Sequence, residues 1–404
     1  MKKRRTGAQD AAKGIMIISV VFFHCYLMTF EKPTDALSTF NILMALFPFL
    51  IASFFFYAGY NYQPSNRTIK QSILKRAKQL LIPMVGAFAI SAILISSMEL
   101  IYDHNDIGAR FIMIGNSILH GLMSDPLAVM IGFPQNGGEI FELYLALGLI
   151  WFLYALFICS VFFYLLVKFT NRKLEHLISV VVALLALSFC LAQFVGVYLP
   201  YTVQSYPVIL AIMLTGAYLR QSHFLNRRVR SKKDVVLHTI NMLIAEGIVV
   251  GTCLVCHYNF GALLTGSFPG GMFDPVMKGF DVVIVYVFAI IGTYFIHTLC
   301  RSIKYIPFLS YSLEWIGNHS AIFYLFHPIF IDLAAILIFQ KQRMWGIAQA
   351  FFYVFVVTLM LVLSCILIDL ISKKKHKVNE FKEEIDRNKE SEDDEEDLDD
   401  IITE

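Results

Sequence analysis

The chain has 404 residues, of which 57% are hydrophobic and 16% are charged. Soluble domains contain about 25% charged residues and about 45–50% apolar ones, so this composition excludes a soluble globular protein, a disordered protein and a disulfide-stapled secreted domain. The formal net charge of +2 combines a basic body with an acidic end, and the Lys and Arg residues of the body alternate with apolar runs, which argues against a nucleic-acid partner. These features predict an all-α, polytopic membrane protein.

The predicted elements are transmembrane helices. Since a helix rises 1.5 Å per residue, about 20 apolar residues cross the hydrocarbon layer of a bilayer. Ten runs approach or exceed this length: 14–30, 41–60, 81–102, 143–167, 177–198, 203–219, 236–256, 280–300, 311–337 and 346–371. The moderately apolar stretch 107–133 is interrupted by Arg110, His120 and Asp125, which predicts an amphipathic or re-entrant segment rather than a further span.

Lysine and arginine are distributed unevenly among the connections between these runs. If the N-terminus is placed in the cytoplasm and the sides alternate, most Lys and Arg residues fall in the inner connections. Cytoplasmic connections of membrane proteins are enriched in these two residues. We therefore predict a helical bundle of about ten spans with both termini in the cytoplasm, in a multi-pass protein of a bacterial plasma membrane.

The end of the chain differs in composition from the rest. Between 380 and 404, Asp and Glu greatly outnumber Lys and Arg, and few residues are apolar. Such a segment cannot bury a core of its own. We therefore predict a membrane-embedded domain over 1–378 and an acidic, disordered cytoplasmic tail over 379–404.

Ionisable residues in the first run are candidates for function, because titratable groups are costly inside a bilayer. His24 lies near the middle of the run and Lys13 eleven residues earlier, which places both side chains on one face of a helix. Asp10 lies one turn before Lys13, near the same face. A cation at the inner end and an imidazole near mid-membrane suit a reaction site for an anionic cytoplasmic substrate. A Lys placed by topology and a His that hydrogen-bonds between helices are the alternative.

The ninth run contains a second membrane histidine. His327 precedes Pro328, which removes a backbone donor and can kink a helix, and Tyr324 lies on the face of His327 three residues earlier. Stabilising the kink is an alternative role for His327. Glu246, in the middle of the seventh run, must be neutral or paired, and either packing or proton handling is compatible with it.

Six short motifs, in order along the chain, resemble those of acyltransferase family 3, which comprises integral membrane O-acyltransferases. Lys13 and His24, with ten residues between them, resemble the basic residue and histidine of the first-span signature. The other matches are 54–60 to F-F-x-S-G-Y, Arg76 with Pro83 to the basic cytoplasmic loop, 151–156 to W-F-L-x-A-L, 216–220 to the end of the sixth span, and 317–328 to G-x-x-S-x-x-x-Y-x-x-H-P. Tyr57-Ala58 replaces the Ser of the second motif, and Gln79 stands where a second Arg is often found.

This resemblance implies transfer of an acyl group, usually acetyl, from cytoplasmic acyl-CoA to a hydroxyl of a cell-envelope carbohydrate. We predict that His24 is the general base and that His327, the second catalytic residue, positions the acceptor together with Tyr324. Substrate binding is predicted for Lys13, Asp10, Arg76, Trp151, Ser320 and Tyr324. The expected partners are acyl-CoA, a glycan acceptor and the lipid bilayer, with no nucleic acid, no metal and no permanently bound cofactor.

Other readings of the same residues stay open. A proton-coupled secondary transporter or flippase would use His24, Glu246 and His327 as a proton path and would need no acyl-CoA. A membrane scaffold would recruit a basic partner through its acidic tail. Within the transferase reading, a covalent acyl-histidine intermediate is an alternative to direct transfer. The sequence does not identify the acceptor sugar, the acyl chain or the oligomeric state.

Overall fold

The architecture is entirely helical in the part of the chain that the structure describes. The computed structural model describes residues 7–29, 50–62, 68–102, 151–170, 173–194, 205–221, 225, 231–255, 278–337 and 351–371. The eleven helices in these ranges are α1 (Gly7–Thr29), α2 (Leu50–Tyr60), α3 (Ile69–Tyr102), α4 (Trp151–Phe169), α5 (Leu174–Phe194), α6 (Tyr206–Gln221), α7 (Lys232–Val255), α8 (Lys278–Ile303), α9 (Pro307–Asn318), α10 (Ser320–Leu337) and α11 (Phe351–Ile371). The all-α prediction is confirmed for these residues. The segment 107–133 and the tail 379–404 lie outside them.

Among the described residues, four helices are long and apolar enough to cross a membrane, namely α4, α7, α8 and α11. Shorter apolar helices occur within α2, α5 and α10. The residues that face outward on the long helices include many large apolar side chains, as expected where lipid replaces water. These helices support a membrane protein, while the count of ten spans and the side of the termini stay predictions.

Each predicted run overlaps a helix, and the largest differences are in the third and ninth runs. Helix α3 begins at Ile69 and not near 81, because the basic turns that precede the apolar part are also helical. The run 311–337 contains two helices, α9 and α10, that meet at His319.

The break at His319 has a local cause. The residue adopts φ −96° and ψ 10°, and its backbone N–H turns back to the carbonyl groups of Trp315 and Ile316. Its ring Nδ1 lies 2.8 Å from the Trp315 carbonyl oxygen, and Nε2 lies 3.1 Å from Asp369 Oδ2 on α11. The predicted single ninth span is therefore replaced by two helices, of which α9, with 12 residues, extends only about 18 Å.

Glycine allows two pairs of helices to approach closely. A Cβ atom on Gly317 of α9 would overlap the backbone carbonyl of Asp10 on α1, and one on Gly14 would overlap the carbonyl of Leu313. In the same way, Gly59 of α2 faces the carbonyl of Met213 on α6. Small residues of this kind let backbones of membrane helices come into contact. The first contact fixes the N-terminal half of α1 against the helix that leads into α10.

Aromatic side chains from three of the sequence motifs meet in the core. The ring of Phe152 lies 4.9 Å from that of Phe55 and 5.7 Å from that of Phe54, measured between centroids. Phe152 also lies 5.0 Å from the ring of Tyr324. These contacts join α2, α4 and α10, so the second, fourth and last motifs of the sequence form one packed cluster.

Basic residues at helix ends bind groups on neighbouring helices. Arg220 Nη1 donates to the carbonyl oxygens of Tyr60 and Tyr62, both at 2.9 Å. Arg301 Nη1 donates to the carbonyl oxygen of Leu225 at 3.2 Å. The ends of α2, α6 and α8, which the charge pattern assigns to the inner side, therefore lie on one side of the bundle.

Candidate active site

Two membrane histidines, 303 positions apart in the chain, are in contact. His327 Nε2 on α10 lies 3.2 Å from His24 Nδ1 on α1, and the ring centroids are 5.1 Å apart. His327 is 0% exposed, whereas His24 is partly exposed. The contact forms because α1 packs along both α9 and α10, which brings the middle of α1 beside the middle of α10. An imidazole backed by a second imidazole is a pair of groups that can accept and hold a proton.

The ring of His327 takes part in the backbone of its own helix. Pro328 has no N–H, so the carbonyl of Tyr324, four residues earlier, lacks its usual helical partner. His327 Nδ1 lies 2.7 Å from this carbonyl oxygen and 3.1 Å from that of Phe323. The side chain thus replaces the donor that proline removes. His327 therefore both stabilises its own helix at Pro328, as predicted for the alternative role, and contacts His24.

Tyr324 lies beside this pair. Its ring centroid is 5.8 Å from that of His327 and 5.0 Å from that of Phe152 on α4. Ser320 begins α10 and is partly exposed. Trp151 begins α4, but its side chain lies outside the described residues. Of the predicted site residues, His24, His327 and Tyr324 are therefore brought together.

Asp10 and Lys13, two predicted substrate-binding residues near the start of α1, form an ion pair. Lys13 Nζ lies 2.8 Å from Asp10 Oδ1, and the two side chains are 11% and 10% exposed. The close contact with Gly317 holds the Asp10 backbone against α9. By the helical rise, Lys13 lies about 16 Å from His24 along the axis, which separates a cationic end of the site from the imidazole pair.

Arg76 occupies a third position, between α3 and α4. Its Nε donates to the hydroxyl of Tyr164 at 2.9 Å. The ring of Tyr164 lies 5.5 Å from that of Tyr62, in the segment that follows α2. Among the described residues no hydrogen bond connects Arg76 with the histidine pair, so the structure does not join this residue to His24 directly.

Besides His24 and His327, the bundle contains a buried histidine that the sequence analysis did not single out. His297 of α8 is 1% exposed, and its Nδ1 lies 3.3 Å from the hydroxyl of Tyr57 on α2. One turn away, the hydroxyls of Ser53 and Thr293 are 2.7 Å apart. The rule that singled out Glu246, an ionisable residue within an apolar run, would also have found His297.

Glu246 lies apart from the histidine pair. Its helix, α7, packs mainly against α8. The side chain is 7% exposed, and neither carboxyl oxygen has a hydrogen-bond partner among the described residues. A carboxyl group in this position is stable only when it is neutral. No group of three or more His, Cys, Asp or Glu in the described part of the chain is arranged to hold a metal ion.

Comparison with known proteins gives one match. The model of acyltransferase family 3, described as an acyltransferase domain, matches residues 8–369, from the first described turn of α1 to the last turns of α11. Neither curated proteins nor solved structures yield a match. Since the matched range contains both histidines, the Asp10–Lys13 pair and nearly the whole chain, the protein belongs to acyltransferase family 3.

Proposed function

We propose that the protein is a membrane O-acyltransferase that moves an acyl group, most simply acetyl, from cytoplasmic acyl-CoA to a hydroxyl of a cell-envelope carbohydrate. The observation that carries this proposal is the contact between His24 and His327. Acyl transfer to an alcohol needs a general base, and histidine is the residue that most often serves as one. Membership of an acyltransferase family supplies the reaction class.

The reaction would proceed in one displacement. The proton of the acceptor hydroxyl passes to His24 as the hydroxyl oxygen attacks the thioester carbonyl carbon. The new C–O ester bond forms, the C–S bond breaks, and the thiolate of CoA leaves. The proton held by His24 then passes to the thiolate, which returns the imidazole to its neutral form.

Donor binding is supported by basic residues on the inner side. Acyl-CoA carries several phosphate charges, and positive residues in a cleft raise the local concentration of such a ligand. Asp10 fixes the direction of the Lys13 ammonium group, and Tyr164 fixes the guanidinium of Arg76. We assign Lys13 and Arg76 to the anionic part of the donor, because Lys13 lies about 16 Å from His24 along the helix axis and so away from the thioester. Ser320, Tyr324 and Trp151 are assigned to the acceptor.

The test uses the full chain, purified in lipid nanodiscs, with acetyl-CoA labelled in the acetyl group and an envelope glycan extract. Label should reach the glycan with the wild-type protein. General-base catalysis contributes about 10²–10⁴-fold, so His24→Ala should lower the transfer rate by that factor. His238→Ala is the matched control, because this histidine is exposed on α7. Equal transfer by His24→Ala and His238→Ala would refute the assignment.

A proton-coupled transporter is the second candidate, and the observation in its favour is the buried carboxyl of Glu246, for which the described part of the chain provides no hydrogen-bond partner. It predicts solute flux in proteoliposomes that needs no acyl-CoA and is abolished by Glu246→Gln. The transferase predicts that Glu246→Gln keeps most of the transfer activity, because α7 packs mainly against α8 and not beside the histidine pair.

A further inference from the structure

We propose that His327 is a positioning residue that holds His24 in one tautomer, with the proton on Nδ1, and so makes Nε2 of His24 the atom that removes the proton from the acceptor. The inference deepens the proposed function and rests on it for the chemical role of Nε2. The tautomer assignment itself rests only on the contacts of the two rings.

The first step is the ring of His327. Its Nδ1 faces the carbonyl oxygens of Tyr324 and Phe323, at 2.7 Å and 3.1 Å. Carbonyl oxygens only accept hydrogen bonds, so Nδ1 must carry the proton. A lone pair at this atom would face two oxygen atoms in a site with 0% exposure, where an unfavourable polar contact is most costly. In the neutral ring, Nε2 of His327 is therefore an acceptor.

The second step is the contact between the rings. Because Nε2 of His327 has a lone pair, the atom at 3.2 Å from it, Nδ1 of His24, must donate. A doubly protonated His327 would reverse the direction, but that would place a charge in a fully buried position, and no carboxylate of the described residues contacts the ring.

The consequence concerns the remaining nitrogen of His24. With Nδ1 protonated, Nε2 of His24 has the lone pair. His24 is a partly exposed residue, whereas His327 is fully buried. The neutral histidine side chain in water prefers the opposite tautomer, with the proton on Nε2, so the contact with His327 selects the form whose Nε2 can act as a base toward a substrate. After Nε2 takes the proton, Nδ1–H continues to donate to His327, which stabilises the imidazolium.

This assignment changes the role predicted for His327. Both of its ring nitrogens have partners within the protein, one in the backbone of α10 and one in His24. The ring therefore acts on the reaction through His24. Of the two residues predicted to position the acceptor, Tyr324 keeps that assignment.

The test is ¹⁵N NMR of the full chain, labelled at histidine and held in lipid nanodiscs, since protonated and unprotonated ring nitrogens have well-separated shifts. The signals are assigned by their loss in His24→Asn and in His327→Gln. We expect Nδ1–H with unprotonated Nε2 for both residues. A wild-type His24 with its proton on Nε2 would overturn the proposal.

Kinetics provide the second arm. His327→Phe removes the acceptor of the inter-ring bond, and we expect kcat to fall about tenfold or more with little change in the KM for acetyl-CoA. His327→Gln offers a carbonyl oxygen near the position of Nε2 and should recover part of this loss. Wild-type kcat in His327→Phe would overturn the proposal. A protein that shows the expected tautomers but transfers no acyl group would refute the proposed function and leave the tautomer assignment standing.

Discussion

The contact between α1 and α9 provides the sharpest prediction, because one methyl group can open it. In Gly317→Ala the new Cβ would overlap the carbonyl oxygen of Asp10 and would lie 2.6 Å from its carbonyl carbon and 2.9 Å from the backbone nitrogen of Gly14. Since all three are backbone atoms, no side chain can move aside. The two helices must separate.

The size of the effect follows from these distances. To restore an ordinary contact of about 3.4 Å with the Asp10 carbonyl oxygen, the helices must move apart by about 1.5 Å or more. Overpacking of this kind costs about 1–3 kcal/mol, which is about 5- to 150-fold in the unfolding equilibrium. A shift of this size at the imidazole pair would lengthen the 3.2 Å contact between His24 and His327 to more than about 4 Å, beyond a hydrogen bond. A misplacement of about 1 Å at a reaction centre can lower the rate about 100-fold.

Two measurements check this prediction, namely SDS-induced unfolding in mixed micelles and acetyl transfer in nanodiscs. Gly247→Ala is the matched control, because nothing lies within 4 Å of the Cβ that would be added there. We expect Gly317→Ala to lose both stability and activity and Gly247→Ala to keep both. If Gly317→Ala unfolded at the wild-type SDS fraction and transferred acetyl at the wild-type rate, the close packing of α1 against α9 described above would be refuted.

Three further predictions concern charged groups. Lys13→Arg keeps a cation beside the predicted donor and should retain most of the activity, whereas Lys13→Ala should raise the KM for acetyl-CoA; equal KM values in the two variants would argue against a donor role. Tyr164→Phe removes the hydroxyl that orients Arg76, and since a hydrogen bond to a charged group contributes about 1.5 kcal/mol, the KM for acetyl-CoA should rise about tenfold with kcat unchanged. Asp369→Asn replaces a carboxylate that is 43% exposed and pairs with His319. Because exposed ion pairs contribute little, the free energy of unfolding in SDS should change by about 1 kcal/mol or less, and acetyl transfer should persist. Loss of activity would show that this pair belongs to the site.

The sequence predicted the helices better than it predicted the contacts between them. The apolar runs found the helices because burial in lipid needs long uncharged segments. They placed the start of α3 too late, because hydropathy does not register Lys70 or Lys75 as helical. They also joined α9 to α10, because the break depends on how His319 bonds to Trp315 and to α11, and the surrounding residues are as apolar as those of a span.

The histidine pair shows where sequence reasoning ends. His24 and His327 were each selected because a titratable ring is costly in a membrane. Their contact could not be predicted, since they are 303 positions apart and depend on the packing of α1 along α10. The bond from His327 to the Tyr324 carbonyl, in contrast, follows from local rules, because a proline at 328 leaves that carbonyl without a donor. His297 could have been selected by the same rule, whereas its contact with Tyr57 on another helix could not be predicted.

The arginines at helix ends carry a consequence for how this membrane protein uses its positive charge. Arg220 binds the carbonyl groups of Tyr60, the last residue of α2, and of Tyr62 just beyond it, where the partial negative charge of a helix is concentrated. A positive charge that the charge pattern assigns to the inner side therefore also joins α6 to α2. Replacing Arg220 with an uncharged residue should therefore weaken the contact between the end of α2 and α6 rather than the affinity for acyl-CoA. Basic residues that the charge pattern places on the inner side need not all bind the anionic donor.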